Sequence, residues 1–397
     1  MGKGEQEKAL CRAITCHAWN ADRTQVAVCP NNNEVHIFAV SGTDAGNWTA
    51  LHVLKEHDSL VSGIDWCPRT NMIVTCGHDR NAYVWKLVDN VWCPTLVILR
   101  INRAATSVKW SPSGAKFAVT SGAKAVPVCH YEQGNDWWVS KTIKKHKSTV
   151  LTLDWNRNNK FVVTGCADFK CRIFSAFIDD VDVDEDHDAW ADIFPNQNRF
   201  GAQLAEFDAA NGWVEAVSWS PSGYRLAFAS HDSSVHIVQI LAGEPPTCQT
   251  ISTAFLPFSA VVFLSEDAVV FAGYDANPVL FINKGTEAEP SFEAHGVLDK
   301  MLATPGSKPK AVSSFSNARN LFDASSRMGV NFGTESTDTD GTLKTRHQNA
   351  INGLVPFWAD ETRYHAIEFS TCGIDGRVLL WNMSKIDGVN LADIGLA

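Results

Sequence analysis

His57, Thr75 and Asp79 are the residue types of a nucleophilic relay, in which a carboxylate orients an imidazole that takes a proton from a hydroxyl. The same set recurs at His146, Thr164 and Asp168, and part of it returns at Thr371 and Asp375. Each Thr stands four residues before its Asp. An aromatic side chain follows each Asp by six: Trp85, Phe174 and Trp381. A catalytic centre is needed once, whereas this set is repeated along the chain. Repetition favours a hydrogen-bonded brace that satisfies a carboxylate taken out of water. These eleven residues are therefore expected to be structural, and no residue is assigned a catalytic role.

The elements that must position such a brace follow from a longer period. Tryptophans at 19, 66, 110, 155 and 219 are separated by 47, 44, 45 and 64 residues, and Phe263 follows 44 later. Asp79, Asp168 and Asp232 each lie 13 residues beyond a tryptophan of this series. Between the markers the pattern alternates. Segments such as "TSVKWSPSG" and "AVSWSPSG" end in Pro or Gly turns, and a second apolar run follows, such as "KFVVTG" or "RLAFAS". Short strands at regular spacing imply a β repeat. A period near 45 residues with a Trp, Asp, Trp rhythm is that of a WD-repeat propeller with four strands per blade. Counting centres at Trp19, Trp66, Trp110, Trp155, Trp219, Phe263 and Phe357 gives an all-β, seven-bladed ring over residues 1–397. The segment near Gln6–Cys11 is expected to complete the last blade as a strand.

Bulk properties narrow the function. The formal charge of −10 opposes a general nucleic-acid binder, which needs a basic face. No apolar run is long enough for a membrane span. The 11 cysteines include no CxxC pair, which points to small buried hydrophobes in a reducing compartment, the cytoplasm. No phosphate-binding loop, zinc-protease motif or nucleophile elbow is present, so no cofactor is expected. The acidic run "DDVDVDEDHD" lacks the Gly and Glu of a calcium loop and reads as solvated, with no metal assigned. The basic run "KTIKKHK" reads either as an exposed loop or as a contact for an acidic protein.

The period breaks twice. An insertion over 179–213, holding the acidic run, is expected between blades 4 and 5. A second, over 284–348, precedes the last blade and contains apolar residues at helical spacing over about 311–324, among them Phe315, Leu321 and Phe322. Such a helix is marginal alone in water. It either lies back on the ring or projects toward a groove on another protein.

"ITCHAWNADRTQVAVCPNNNEVHIF", "LKEHDSLVSGIDW", "VTCGHDRNAYVW", "YEQGNDWWVSKTIKK" and "DFKCRIFSAFI" resemble the WD-repeat subunit of the actin-related protein 2/3 complex, densely from Ile14 to Ile178 and more thinly beyond. The resemblance implies a non-catalytic scaffold in a seven-subunit assembly with two actin-related proteins. It implies nucleation of branched filaments, contact with the mother actin filament, and binding of the acidic tails of nucleation-promoting factors, all in the actin cytoskeleton. In "ARNLFDASS", Arg319 and Phe322 fall on the family's filament-contacting positions. Arg100, Arg103, Lys141, Lys144 and Lys145 lie in matching strings and become contacts for acidic partners by complementary charge. The alternative is a generic WD-repeat adaptor for another multiprotein machine.

Overall fold

A computed structural model describes residues 9–42, 45–182, 190–286, 289–301, 345–358 and 365–396. They form a seven-bladed β-propeller of seven antiparallel sheets, six of four strands and one of three. Blade 1 spans Cys16–Leu54, blade 2 Val61–Val97 and blade 3 Ala105–Ile143. Blade 4 spans Val150–Phe207, blade 5 Val214–Ser252, blade 6 Phe258–Val297 and blade 7 Ile351–Asn382. The innermost strands are packed in sequence around the ring, and blade 7 returns to blade 1.

Position within a blade dictates composition. Second strands are covered by a blade on either side, so "RLAFAS" (Arg225–Ser230) and "AVVFAG" (Ala268–Gly273) are buried at every residue. A fourth strand has solvent at its edge, and "TCQTIS" (Thr247–Ser252) is polar and largely exposed. This gradient explains two corrections. The insertion read between blades 4 and 5 contains Gln203–Phe207, which is the fourth strand of blade 4 itself. The insertion over 284–348 likewise contains Phe292–Val297, the fourth strand of blade 6, followed by one helical turn at Leu298–Met301. Outer strands face water and need no apolar period, so the sequence does not mark them. The stretch 311–324, with Phe315, Arg319, Leu321 and Phe322, lies outside the described residues.

At the start of the acidic run one carboxylate is taken out of solvent while Asp179 and Asp180 stay exposed. Asp182 is paired with Lys116, a fully buried side chain whose Nζ also donates to Ala176 O at 2.9 Å. Trp190, after the run, stacks on Tyr224 with ring centres 4.6 Å apart.

Neighbouring blades are tied by one repeated hydrogen bond. The second residue of an inner segment donates to the carbonyl of the first residue in the next blade. Thr15 Oγ1 donates to Val61 O (3.1 Å), Ser62 Oγ to Ala105 O (2.7 Å), Thr106 Oγ1 to Val150 O (2.6 Å) and Ser259 Oγ to Ile351 O (2.6 Å). Asn352 Nδ2 closes the circle on Ile14 O at 3.2 Å. The equivalent residues of blades 4 and 5 are Leu151 and Glu215, which make no such tie.

The seam between blades 7 and 1 differs from the expected one. Among the described residues the chain before blade 1 adds no fourth strand to blade 7. Instead Leu10 N donates to Gly376 O (2.8 Å) and Ile14 N to Gly373 O (3.2 Å), at the turn between the second and third strands of blade 7. Trp19, Trp48 and Phe357 pack edge to face beneath it. Arg23 lies over the Phe357 ring and donates to Trp358 O.

Candidate interaction surface

The brace residues meet as one relay in two blades. In blade 2, Trp85 Nε1 donates to Thr75 Oγ1 (3.0 Å), the Thr75 hydroxyl bonds His57 Nε2 (2.8 Å), and His57 Nδ1 donates to Asp79 (2.8 Å). Asp79 also accepts from the backbone of Asp58 and Asn81. In blade 7, Trp381, Thr371, His347 and Asp375 repeat it at 2.9, 2.7 and 3.1 Å. Every polar proton is placed if the imidazole is neutral. Burial holds His57 below its usual range, against the pull of Asp79.

Sequence reasoning missed His347. It precedes the first inner-strand residue, Ile351, by four, as His57 precedes Val61. But it stands 24 residues before its Thr, against 18 in blades 2 and 4, because the first hairpin of blade 7 is longer. The constant four-residue step was the usable signal.

Blade 4 is wired differently. His146 Nε2 bonds Thr164 Oγ1 at 2.9 Å, but Asp168 pairs with the Arg172 guanidinium at 2.9 Å and not with His146. Phe174 has no N–H to donate and packs against the His146 ring instead. His146 Nδ1 is left without a hydrogen bond. Burial, helped by the Arg172 charge, pushes His146 down to about 4.

The order hydroxyl, imidazole, carboxylate is that of a hydrolytic triad, but the surroundings suit a brace. Thr75, Thr164 and Thr371 are 0% exposed. A nucleophile must reach a substrate, and these hydroxyls reach only imidazole, indole or backbone. Replacing Thr75 or Thr371 with Val would strand two buried groups, the imidazole Nε2 and the indole N–H. Thr164→Val strands only His146 Nε2. We expect losses of about 3 kcal/mol for each of the first two and about half that for Thr164→Val, at roughly 1–3 kcal/mol per unsatisfied buried group. Urea unfolding of the three variants checks the ranking.

Among the described residues no cluster of His, Cys, Asp or Glu could hold a metal ion, and the 11 cysteines are free. No described helix is long and apolar enough to cross a membrane.

What remains is the exposed surface of the ring. The turn after each second strand lies beside the connection entering the same blade: His78 N donates to Leu60 O, Ala167 N to Thr149 O, His231 N to Trp213 O and Ile374 N to Ala350 O. Turns and entering connections therefore share one face of the ring. The structure brings Arg100 and Arg103, before blade 3, and Lys144 and Lys145, before blade 4, to this face, all exposed. Lys141 is half-buried within the outer strand of blade 3 (Trp137–Ile143). Lys144 and Lys145 also line a cleft of about 550 Å³ with Asn196, Arg199 and Gln203, between the outer edges of blades 3 and 4. Arg199 carried no sequence signal, since it lies in the irregular stretch before the fourth strand. Apolar side chains are also exposed on the outer strands of blades 1 and 2: Leu51, Val53, Val91, Leu96 and the adjoining Ile98 are 43–66% exposed, with Val91 and Leu96 on opposite faces of their strand.

Comparison with known proteins places this ring. The family model "WD domain, G-beta repeat" matches residues 48–86, 137–175 and 201–238. Each match starts at or just before the outer strand of one blade and ends within the third strand of the next. The chain is 44% identical to actin-related protein 2/3 complex subunit 1A-A of Xenopus laevis over 384 residues, covering 95% of this chain and 96% of that one. It is 42% identical to subunit 1B of Arabidopsis thaliana (95% and 96% covered) and 38% identical to subunit 1 of Schizosaccharomyces pombe (92% and 96%). Identity of this order over nearly the whole of both chains shows that the protein belongs to the family of WD-repeat subunit 1 of the actin-related protein 2/3 complex.

Proposed function

We propose that the chain is a non-catalytic scaffold subunit of an actin-related protein 2/3 complex, supporting the nucleation of branched actin filaments. The observation that carries this reading is the 38–44% identity to subunit 1 relatives across almost the full length. The described geometry supports it. The relays with catalytic residue types in blades 2 and 7 are sealed, while large surfaces stay open among the described residues. The exposed apolar side chains Leu51 and Val53 on blade 1, and Val91, Leu96 and Ile98 on blade 2, suit contact with obligate neighbours, whose interfaces are the more apolar ones. Arg100, Arg103, Lys144 and Lys145, with Lys141 at their edge, suit acidic tails of nucleation-promoting factors. The segment with Phe315, Arg319, Leu321 and Phe322 is proposed to grip the mother filament as an amphipathic helix.

Native purification tests the assembly: recovery with two actin-like proteins is expected, and recovery with unrelated machinery would favour a generic adaptor. Replacing Phe315, Leu321 and Phe322 with Ser in the assembled complex tests the filament contact. Branch density should fall about ten-fold, the effect of losing roughly 1.4 kcal/mol of binding. Normal branching by a normally assembled variant removes this segment from the mechanism.

A further inference from the structure

The ring omits its repeated interblade tie at only two inner positions, Leu151 in blade 4 and Glu215 in blade 5. A local rule broken within a repeated structure points to a site. Glu215 does not reach the next blade's carbonyl. Its carboxylate, 12% exposed, takes the Nδ1 proton of His231 at 2.6 Å. Among the described residues its second oxygen has no hydrogen-bond partner.

The His231 ring stands between two others. Trp213 lies 5.7 Å away between centroids, and Tyr274, from blade 6, meets it edge-on at 6.0 Å. Trp213 is 50% exposed and Tyr274 46%. Rings of this size are usually spent on the core. Here three of them, from two blades, sit together in solvent with a carboxylate beneath.

The charge around them is mostly negative, with Asp208 paired to Lys170 of blade 4 at 3.1 Å. The connections and turns of blades 5 and 6 on this face, "DAANGWVEA" (208–216), "HDSS" (231–234), "TAFLPFS" (253–259) and "YDAN" (274–277), contain four acidic residues and no Lys or Arg. Arg100, Arg103, Lys144 and Lys145 occupy the neighbouring arc, over blades 3 and 4. A cation is attracted to an aromatic face and to a carboxylate alike. A planar guanidinium can stack on the rings and bond the free carboxylate oxygen at once, which an ammonium cannot. A purely apolar ligand would bury Glu215 without compensation.

We propose that Trp213, His231 and Tyr274, with the Glu215 carboxylate, form a docking site for an arginine-bearing extended segment of a transient protein partner. Transience follows from the size and charge of the patch. A few half-exposed side chains around a carboxylate lack the apolar area of an obligate interface.

The test uses the full chain in the assembly in which it purifies. A fluorescein-labelled Gly-Arg-Gly-Arg-Gly peptide is titrated at 150 mM salt, beside versions carrying lysine or citrulline. Anisotropy should show binding of the arginine peptide, weaker binding of the lysine peptide and none of the citrulline peptide. Trp213→Ala and Tyr274→Ala should each weaken it about ten-fold, between the fold-changes of an exposed and a desolvated cation–π contact. Glu215→Gln, which preserves shape and the tie to His231, should weaken it similarly, so the result does not hang on the larger truncations. Lys144→Glu with Lys145→Glu should leave affinity intact. Failure of the arginine peptide to bind overturns the proposal. So does an equal loss on neutralising Glu132 and Asp136 of blade 3, which would mean general attraction to an acidic protein. Protection of Trp213 and Tyr274 from hydroxyl-radical labelling without added peptide would show a resident neighbour on the site and overturn the transient partner.

Discussion

Gly376→Ala should open the ring at its seam. Gly376 has φ +73°, in the left-handed region where a Cβ costs roughly 1–2 kcal/mol. Its added Cβ would also fall 1.8 Å from the carbonyl oxygen of Cys11. That neighbour is backbone and cannot swing aside. It is held by the bonds that Leu10 and Cys11 donate to Gly376 O. Either the turn or the segment 9–14 must leave, and the Asn352 tie to Ile14 goes with it. We expect a loss of about 3 kcal/mol in urea unfolding and early proteolytic cleavage near residues 9–14, within the usual range for a named backbone mechanism. Gly388→Ala is the matched control. Gly388 has φ +79° but open space around its Cβ, so it reports the conformational cost alone. If Gly376→Ala costs no more than Gly388→Ala, the seam is not held as described.

Acid should unfold the protein through its buried histidines. His17 bridges the same seam: its Nε2 bonds Ser370 Oγ at 2.7 Å, and Trp19 Nε1 donates to that hydroxyl at 2.9 Å. Burial, with a smaller push from His347, drives His17 down to about 3. His236, buried against Ser234 and Thr250, is driven to about 4, as is His146. In the unfolded chain each returns to about 6.5. Below that pH the unfolded state takes up protons that the folded state refuses. The stability these groups hold is therefore complete above pH 6.5 and is lost progressively as pH falls toward 4. Each unit of separation is worth about 1.4 kcal/mol, so together they rival the net stability of a domain. The urea midpoint should be flat from pH 8 to 7 and fall steeply from pH 6 to 4.5. Asp168 and Asp375, held low by hydrogen bonds, add to the loss only below about pH 4. Asp65 and Asp275, raised by burial, act in the opposite sense as they protonate. His17→Gln keeps a partner for Ser370 but cannot titrate, so it should flatten the curve. An unchanged slope would remove His17 from the acid response.

What the amino-acid sequence determined by itself is whatever repeats locally. The tryptophan spacing, the Asp turns and the buried second strands are fixed within single blades, because each blade must satisfy the same two neighbours and the same tight turn. That much yields the propeller, the seven-fold count, the relay at Thr75 and three of the four members of the relay at Thr371. Wherever one blade departs from its siblings, the tertiary structure decided. The longer first hairpin of blade 7 hid His347. Arg172 took Asp168 away from His146 because blade 4 has a guanidinium at the third-strand position that Tyr83 holds in blade 2 and Leu379 in blade 7. Gln203–Phe207 had no signature because an edge strand facing water tolerates any polarity. Trp213 and Tyr274 are 61 residues apart on different blades, and only the curvature of the ring sets His231 between them. Periodicity records the constraint that every blade shares. Contacts between segments far apart in the chain exist only once the circle is closed.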